Sequence, residues 1–428
     1  MLIIRGSVWV RCWVSYCQVF GCPTSRVASV CVSALFCVIG LKQVLYFSHA
    51  KLRVLRFAKR DMIPMPARRI CTQRRHTTSI HDLAVEILQH IFAYACTDGG
   101  YTGYSLSLVS RYCHDVVRPL RFHNVALFST RQTESFADYV ERNYHTSNQY
   151  RIYHLFLSTW HDGEAIARAK ASHTSQHQPS HLGPSQPPSS RRPSEWSRTR
   201  DDLDKRLSAV LPRLLRAVAP DLRTLFLVHA WELRAIALPC PFPRLREFTS
   251  CGPFPRLPGA DGALVLPPPC FPAARRVHVI CGTVSLVPWA HHTPALTHLR
   301  LSDVTEMSST LPYELQVALS FGPGHKQRAA VPRVFSELQH VRLQICSPAE
   351  SEGSTAIANH EIFVETLQKA QVQCGDKLEL MRHRRYRDGY WVERLRRDWM
   401  IGVTGEPDCW SAGEQREEGG ETECECNV

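Results

Sequence analysis

A short apolar pattern that recurs five times restricts the fold of this chain more than any other feature. It has the form P-x-L-x-x-L-x-L and is clearest in Pro294–Leu301. The first apolar position of each copy is Leu222, Leu245, Ala274, Leu296 or Leu338, at intervals of 23, 29, 22 and 42 residues. Alternating apolar residues predict short strands, and intervals of about 20 to 29 residues are typical of leucine-rich repeats.

The pattern predicts an α/β or α+β fold in which parallel strands stack in chain order as an irregular leucine-rich-repeat-like solenoid. We expect the last interval to hold two short units. The side chains expected outside the core or at strand starts are Arg223, Thr224, Arg246, Arg275, Arg276, Thr297, His298, Gln339 and His340. The alternative that the pattern leaves open is an irregular mixed sheet whose spacing is fortuitous.

Apolar periodicity places further elements around the repeats. Strands are predicted at Phe122–Leu127 and Tyr150–Leu157, with a helix between them at Gln132–Asn143 that turns Phe136 and Val140 inward. Helical spacing returns at Leu203–Val218, where Pro212 is expected to start a second helix. The basic and aromatic stretch from Leu378 to Trp399 is predicted to form a helix that caps the last repeat, with contact to phosphate or RNA as the alternative.

A helical stretch precedes the repeats, at residues 79–127. Leu83, Ile87, Ile91 and Ala95 recur every four residues, which predicts an amphipathic helix capped by Ser79 with Asp82. Thr97–Gly100 is expected to break that helix. A second apolar run, Leu106 to Val117, predicts a second helix that ends at Arg118-Pro119, because a residue before proline is disfavoured in the helical region. Two short helices of this kind must pack either into a larger core of the same chain or against another protein.

Two segments of this stretch resemble an F-box. Leu83–Phe92 is similar to the opening L-P-x-E-[IVL]-L-x-x-I-F, and Leu106–Arg111 to the second signature, L-x-x-V-[SC]-[KR]. The stretch as a whole resembles the F-box-like domains of mushroom-type fungal proteins. Two positions depart from the family pattern, since Ala84 stands in place of the usual proline and Tyr112 lies near the position of a common tryptophan.

The resemblance implies a substrate-receptor subunit of a ubiquitin ligase. The F-box would bind a Skp-type adaptor of a cullin–RING ligase, and the repeats would hold a protein target of unknown identity near the ubiquitin-charged enzyme. The residues expected to bind the adaptor, or to hold the helices together, are Leu83, Glu86, Ile87, Leu88, Ile91, Phe92, Leu106, Leu108 and Val109. Such a chain is not an enzyme, needs no cofactor or metal and binds no small-molecule substrate.

Two other functions compete with this interpretation. One is a repeat scaffold for protein interaction that lacks ligase coupling. The other is nucleic-acid binding, suggested by a net charge of +12. We disfavour nucleic acid as a partner, because the basic residues fall mostly in predicted linkers and caps. No nucleotide-binding, metalloprotease or nucleophile-elbow motif occurs in the sequence, and none of its 17 cysteines forms a CxxC pair. The cysteines are expected to be reduced, buried apolar side chains.

The remaining segments differ in composition from the globular part. Residues 1–50 are apolar and rich in cysteine, and are interpreted as an extension ahead of the natural start, with a targeting segment or a membrane anchor at residues 27–47 as alternatives. We expect localisation in the cytoplasm or nucleus. The predicted organisation is a 1–50 extension, a 51–78 basic linker, a 79–127 F-box-like domain, a 128–170 first part of the repeat domain, a 171–200 disordered Ser/Pro insertion, a 201–400 repeat domain with its cap, and a 401–428 acidic disordered tail.

Overall fold

A computed structural model describes residues 80–144, 151–176, 195–258, 267–280, 284–320, 335–348, 353–381, 390–404 and Trp410. The chain forms two compact units, Met1–Leu88 and Gln89–Val428. The predicted extension at 1–50, the basic linker at 51–78 and all of the acidic tail beyond Trp410 lie outside the described residues.

Eight parallel strands form one sheet in which spatial order equals chain order. The strands are β1 Asn124–Leu127, β2 His154–Ser158, β3 Thr224–Val228, β4 Glu247–Cys251, β5 Arg276–Ile280, β6 His298–Val304, β7 His340–Ile345 and β8 Leu378–Met381. This confirms the prediction of parallel strands stacked in sequence, and it excludes an irregular mixed sheet.

The repeat pattern sets the register of the sheet. All five predicted anchors are buried, the most exposed being Leu338 at 8%. Each anchor precedes a strand. The first core residues of neighbouring strands are paired in the sheet, as Leu225 is with Phe248 and Phe248 is with Val277. Large apolar side chains at every second strand position therefore line one continuous core.

The described residues also form helices before, between and after the strands. They are α1 Val85–Ala95, α2 Tyr101–Ser107, α3 Arg111–Val117, α4 Thr130–Tyr144, α5 Trp160–Gln176, α6 Glu195–Val218, α7 Val287–His292, α8 Leu311–Ser320, α9 Ser354–Cys374 and α10 Tyr390–Thr404, with short 3-10 turns at Ile80–Asp82 and Gly375–Lys377. α6 packs on α4 and α5, and α8 packs on α9. Val140 of α4 is buried and Phe136 packs against the core, as the sequence predicted.

Several sequence-based boundaries were wrong. Pro212 lies inside one continuous helix, α6, and starts no second helix. A proline at this position leaves the carbonyl four residues earlier, at the exposed residue Ser208, without its helical N–H partner. Helices α5 and α6 also extend into both ends of the predicted 171–200 insertion, and residues 177–194 between them are outside the described part.

The long interval between the last two anchors holds one unit. β6 pairs directly with β7, so no strand is inserted between them, and the described part of this connection contains α8. The stretch from Leu378 begins with an eighth strand, β8, which the sequence reading missed. α10 contacts β2 and β3, far from the last repeat, so the prediction that it caps this repeat was also wrong.

The helical stretch before the sheet has three helices where two were predicted. α1 begins at Val85, where the Ala84 carbonyl accepts the Leu88 N–H at 3.1 Å, and Ser79 of the predicted cap lies outside the described residues. The second apolar run is divided into α2 and α3. α3 ends at Val117 as predicted, but the reason given was wrong, because Arg118 keeps helical angles of φ −48° and ψ −47° before Pro119.

Candidate functional site

The turn that ends α1 is bonded to the first strand of the sheet. Asn124 donates its side-chain amide to the Cys96 carbonyl at 2.7 Å, and the Ala126 N–H bonds the Gly99 carbonyl at 3.2 Å. Gly99 has φ +82°, and a Cβ there would lie 2.6 Å from the Ala126 Cβ. A glycine is therefore required where the chain leaves α1 and passes close to β1.

Side-chain oxygens accept N–H groups in the first turns of both α2 and α3. Asp98 accepts the N–H of Thr102 at 3.0 Å in the first turn of α2, and Ser110 accepts the N–H of Cys113 at 3.1 Å in the first turn of α3. Both caps satisfy helix N–H groups that have no partner within the helix. The turn at Leu108-Val109 lies between the two helices, directly before the Ser110 cap.

One side of α2 and the turn after it expose apolar side chains. Tyr101, Tyr104 and Leu108 are three and four residues apart, so they share one side of the helix. They are 59%, 62% and 69% exposed, and Val109 in the turn is 59% exposed. We call Tyr101, Tyr104, Leu108 and Val109 the α2 face. The opposite side of α2 is buried at Thr102 and Gly103, so the packing of this helix leaves its apolar side in solvent.

The predicted adaptor-binding residues separate into buried and exposed sets. Leu88 and Phe92 are almost fully buried and act in packing. Leu83, Ile91 and Leu106 are half-buried. Glu86, Ile87, Leu108 and Val109 are exposed. The sequence left open which of these residues pack and which face outward. It missed Tyr101 and Tyr104, although their spacing with Leu108 was available as a signal.

A second surface, on the sheet, is covered by the chain itself. The side of β2–β5 opposite the main core carries Phe156, Phe226, Val228, Cys251 and Ile280. α10 lies across these residues with Trp391, Val392, Leu395 and Trp399. This apolar part of the sheet, where the sequence-based interpretation would display a target, therefore packs against the C-terminal helix.

A polar cluster continues this side of the sheet beyond α10. The Trp410 indole donates to Glu247 at 3.1 Å, and Arg342 donates to the Trp410 carbonyl at 2.8 Å. The Arg342 Nε also bonds Glu379 at 2.7 Å. Burial raises the pKa of Glu247, an effect that the bond from Trp410 opposes. Trp410 is thereby fixed at the amino ends of β4 and the strands that follow it.

His278 is the most deeply buried titratable group of this cluster. Its Nε2 lies 3.0 Å from the Ser302 hydroxyl, and the rings of Trp391 and Trp410 meet it edge-on at 6.2 and 6.3 Å. Burial, followed by the charges of Arg300 and Arg394, lowers its pKa well below 6.5. The ring is therefore neutral at physiological pH and serves in packing.

The described residues offer no metal centre. No group of three or more His, Cys, Asp or Glu side chains among them is arranged to hold an ion. Five of the seven cysteines in the described ranges are buried, as the sequence predicted. Burial raises the pKa of Cys270 to about 12, which makes its thiol unreactive. None of the described helices combines the length and apolar character needed to cross a membrane.

Comparison with known proteins adds no assignment. No protein-family model, curated protein or solved structure matches the chain.

Proposed function

We propose that this chain is a substrate-receptor subunit that links a protein target to a Skp–cullin–RING ubiquitin ligase. It would act in the cytoplasm or nucleus by bringing its target close to the ubiquitin-charged enzyme, without catalysing a reaction itself. The F-box-like segments at 79–127 would bind the Skp-type adaptor, and the leucine-rich-repeat-like solenoid would bind the target.

The observation that carries this proposal is the exposed α2 face. Its four members are more than half exposed. Large apolar side chains grouped on one side of a helix are typical of protein-binding sites, and two of the four are tyrosines, which are enriched where partners bind most tightly. Leu108 and Val109 belong to the second F-box-like segment, so the sequence resemblance and the exposure point to the same residues.

The first F-box-like segment supplies an independent test. Leu83 is half-buried and Ile87 is exposed in the described part of the first unit. Replacing both by aspartate, Leu83→Asp with Ile87→Asp, should abolish the pull-down of a fungal Skp-type adaptor while the circular dichroism of the repeat region is unchanged. Equal recovery of the adaptor with the parent chain and the double variant would reject the proposal.

A repeat scaffold without ligase coupling is the second candidate. It is favoured by Ala84, which occupies the position of the usual F-box proline. The unmodified chain distinguishes the two functions directly, because a scaffold of this kind would recover no Skp-type adaptor from the same pull-down.

A further inference from the structure

Three exposed arginines form a row at the amino ends of neighbouring strands. Arg223, Arg246 and Arg275 each stand one residue before β3, β4 or β5 and are exposed. The Arg246 N–H bonds the Arg223 carbonyl at 2.8 Å, and the Arg275 N–H bonds the Arg246 carbonyl at 2.9 Å. The sheet ladder therefore holds them in register, about 4.8 Å apart from one strand to the next. We call these three residues the arginine row.

No carboxylate within the described ranges pairs with the arginine row. The nearby Asp221 pairs at 2.9 Å with Arg244, which lies two residues before Arg246 and is not part of the row. Arg223 lies over the ring of Tyr153 at 4.4 Å, a contact that attracts the guanidinium but does not neutralise its charge. Three like charges at this spacing repel one another, so an anionic chain laid across the strands would be attracted to them.

The last described residue, which an acidic segment follows in the sequence, lies at the amino end of β4. Trp410 bonds Glu247, which directly follows Arg246 in the sequence. Residues 411–428 then contain Glu414, Glu417, Glu418, Glu421, Glu423 and Glu425, against Arg416 as the one basic residue. Glu414 is the fourth residue after Trp410, a reach of up to about 14 Å.

The spacing of the glutamates along the acidic segment matches the distance between the arginines of the row. Three strands cover about 10 Å, which an extended chain crosses in about three residues. From residue 414 to residue 425, each successive window of three residues contains a glutamate. Several alternative alignments of the segment would therefore place a carboxylate beside an arginine.

We propose that the acidic segment 411–428 binds across the arginine row of its own chain. The row is then an interaction surface for acidic polypeptide, and a protein carrying a similar acidic stretch would have to displace the segment to reach it. This inference goes beyond the proposed function and does not depend on adaptor binding.

Zero-length cross-linking in the full chain tests this contact. Arg246→Lys keeps the charge and supplies an amine that a carbodiimide can join to a glutamate as an amide. We expect mass spectrometry to find the new amine at position 246 joined to glutamates of 411–428, and the yield to fall in high salt. Arg131→Lys, at an exposed site on α4, is the matched control and should give no such product. Absence of the product at position 246, or equal yields at both sites, would overturn the proposal.

A competition experiment with a separate peptide tests whether the acidic segment occupies the arginine row. The probe is a fluorescein-labelled synthetic peptide of residues 411–428, added to the full chain or to a full chain with the six glutamates of that segment changed to glutamine. The glutamine chain should bind the probe at least about tenfold more tightly, because an attached competitor acts at an effective concentration near the millimolar range. Adding Arg223→Gln, Arg246→Gln and Arg275→Gln should remove this binding.

A matched set of exposed arginines elsewhere provides the control. Adding Arg131→Gln, Arg198→Gln and Arg397→Gln to the glutamine chain removes the same charge and should leave probe binding unchanged. Equal losses with the two arginine sets, or equal probe binding by the parent and glutamine chains, would contradict the proposal.

Discussion

Trp399 of α10 packs against Phe156 of β2, with their ring centroids 5.8 Å apart. The last helix of the described chain therefore returns to the second strand of the sheet and shields its apolar side. Both rings are almost fully buried. This contact makes α10 part of the folded unit, and it defines which part of the sheet a target can reach.

Removal of the Trp399 ring should destabilise the whole second unit. Trp399→Ala is expected to lower the free energy of unfolding by about 3–5 kcal/mol, since it deletes a large side chain and leaves a cavity under the helix. Urea unfolding followed by circular dichroism measures this. Met400→Ala, at a neighbouring exposed position, should cost far less. Equal midpoints for the two variants would show that α10 contributes little to stability.

The turn after α1 should be sensitive to a single methyl group. Gly99→Ala is expected to cost about 1–3 kcal/mol, because the left-handed backbone is strained with a side chain and the new Cβ would meet Ala126. Gly353→Ala is the control, since nothing lies within 4 Å of its Cβ position and its φ is −63°. The control should stay within about 1 kcal/mol of the parent. Thermal unfolding that shifts equally in both variants would refute the close approach to β1.

Stability should fall as the medium becomes mildly acidic, in part through His278. Its folded-state pKa is lowered, so the unfolded chain binds a proton below about pH 6.5 that the folded chain rejects. The free energy of unfolding is therefore highest above pH 6.5 and declines below it. His278→Gln should weaken this decline between pH 7.5 and 5.5 in urea titrations. His123 and His154, whose pKa values are lowered to about 4, would maintain the rest of the decline. An unchanged decline in His278→Gln would contradict this assignment.

The sheet could be predicted from the sequence because the residues that define each strand lie close together along the chain. Each anchor, such as Leu296, lies within a few residues of the strand that it introduces, and alternation alone shows which side chains enter the core. The order of the strands then followed from the recurrence of the pattern along the chain. The interval before Leu338 was misread because an interval length does not show whether a helix or a further strand fills it.

The placement of α10 could not be predicted in the same way. The apolar spacing of Trp391, Leu395 and Trp399 indicates a helix with one apolar side. It does not say which strand that side covers, since the partner residues are distant in sequence. The division at Ser110 was missed for a different reason: the apolar run on either side of it satisfies helical spacing without a break. The side-chain cap from Ser110 to Cys113 decides the boundary.

The most direct test of the proposed receptor function is the affinity of the purified chain for a fungal Skp-type adaptor, measured by biolayer interferometry. We expect the parent chain to bind, and Leu108→Asp with Val109→Asp to weaken binding at least about 100-fold, because two apolar contacts at an interface centre each contribute about 2 kcal/mol or more. The control Ile362→Asp with Val372→Asp, on the exposed side of α9, should bind as the parent does. No binding by the parent, or equal affinities for both double variants, would contradict the account.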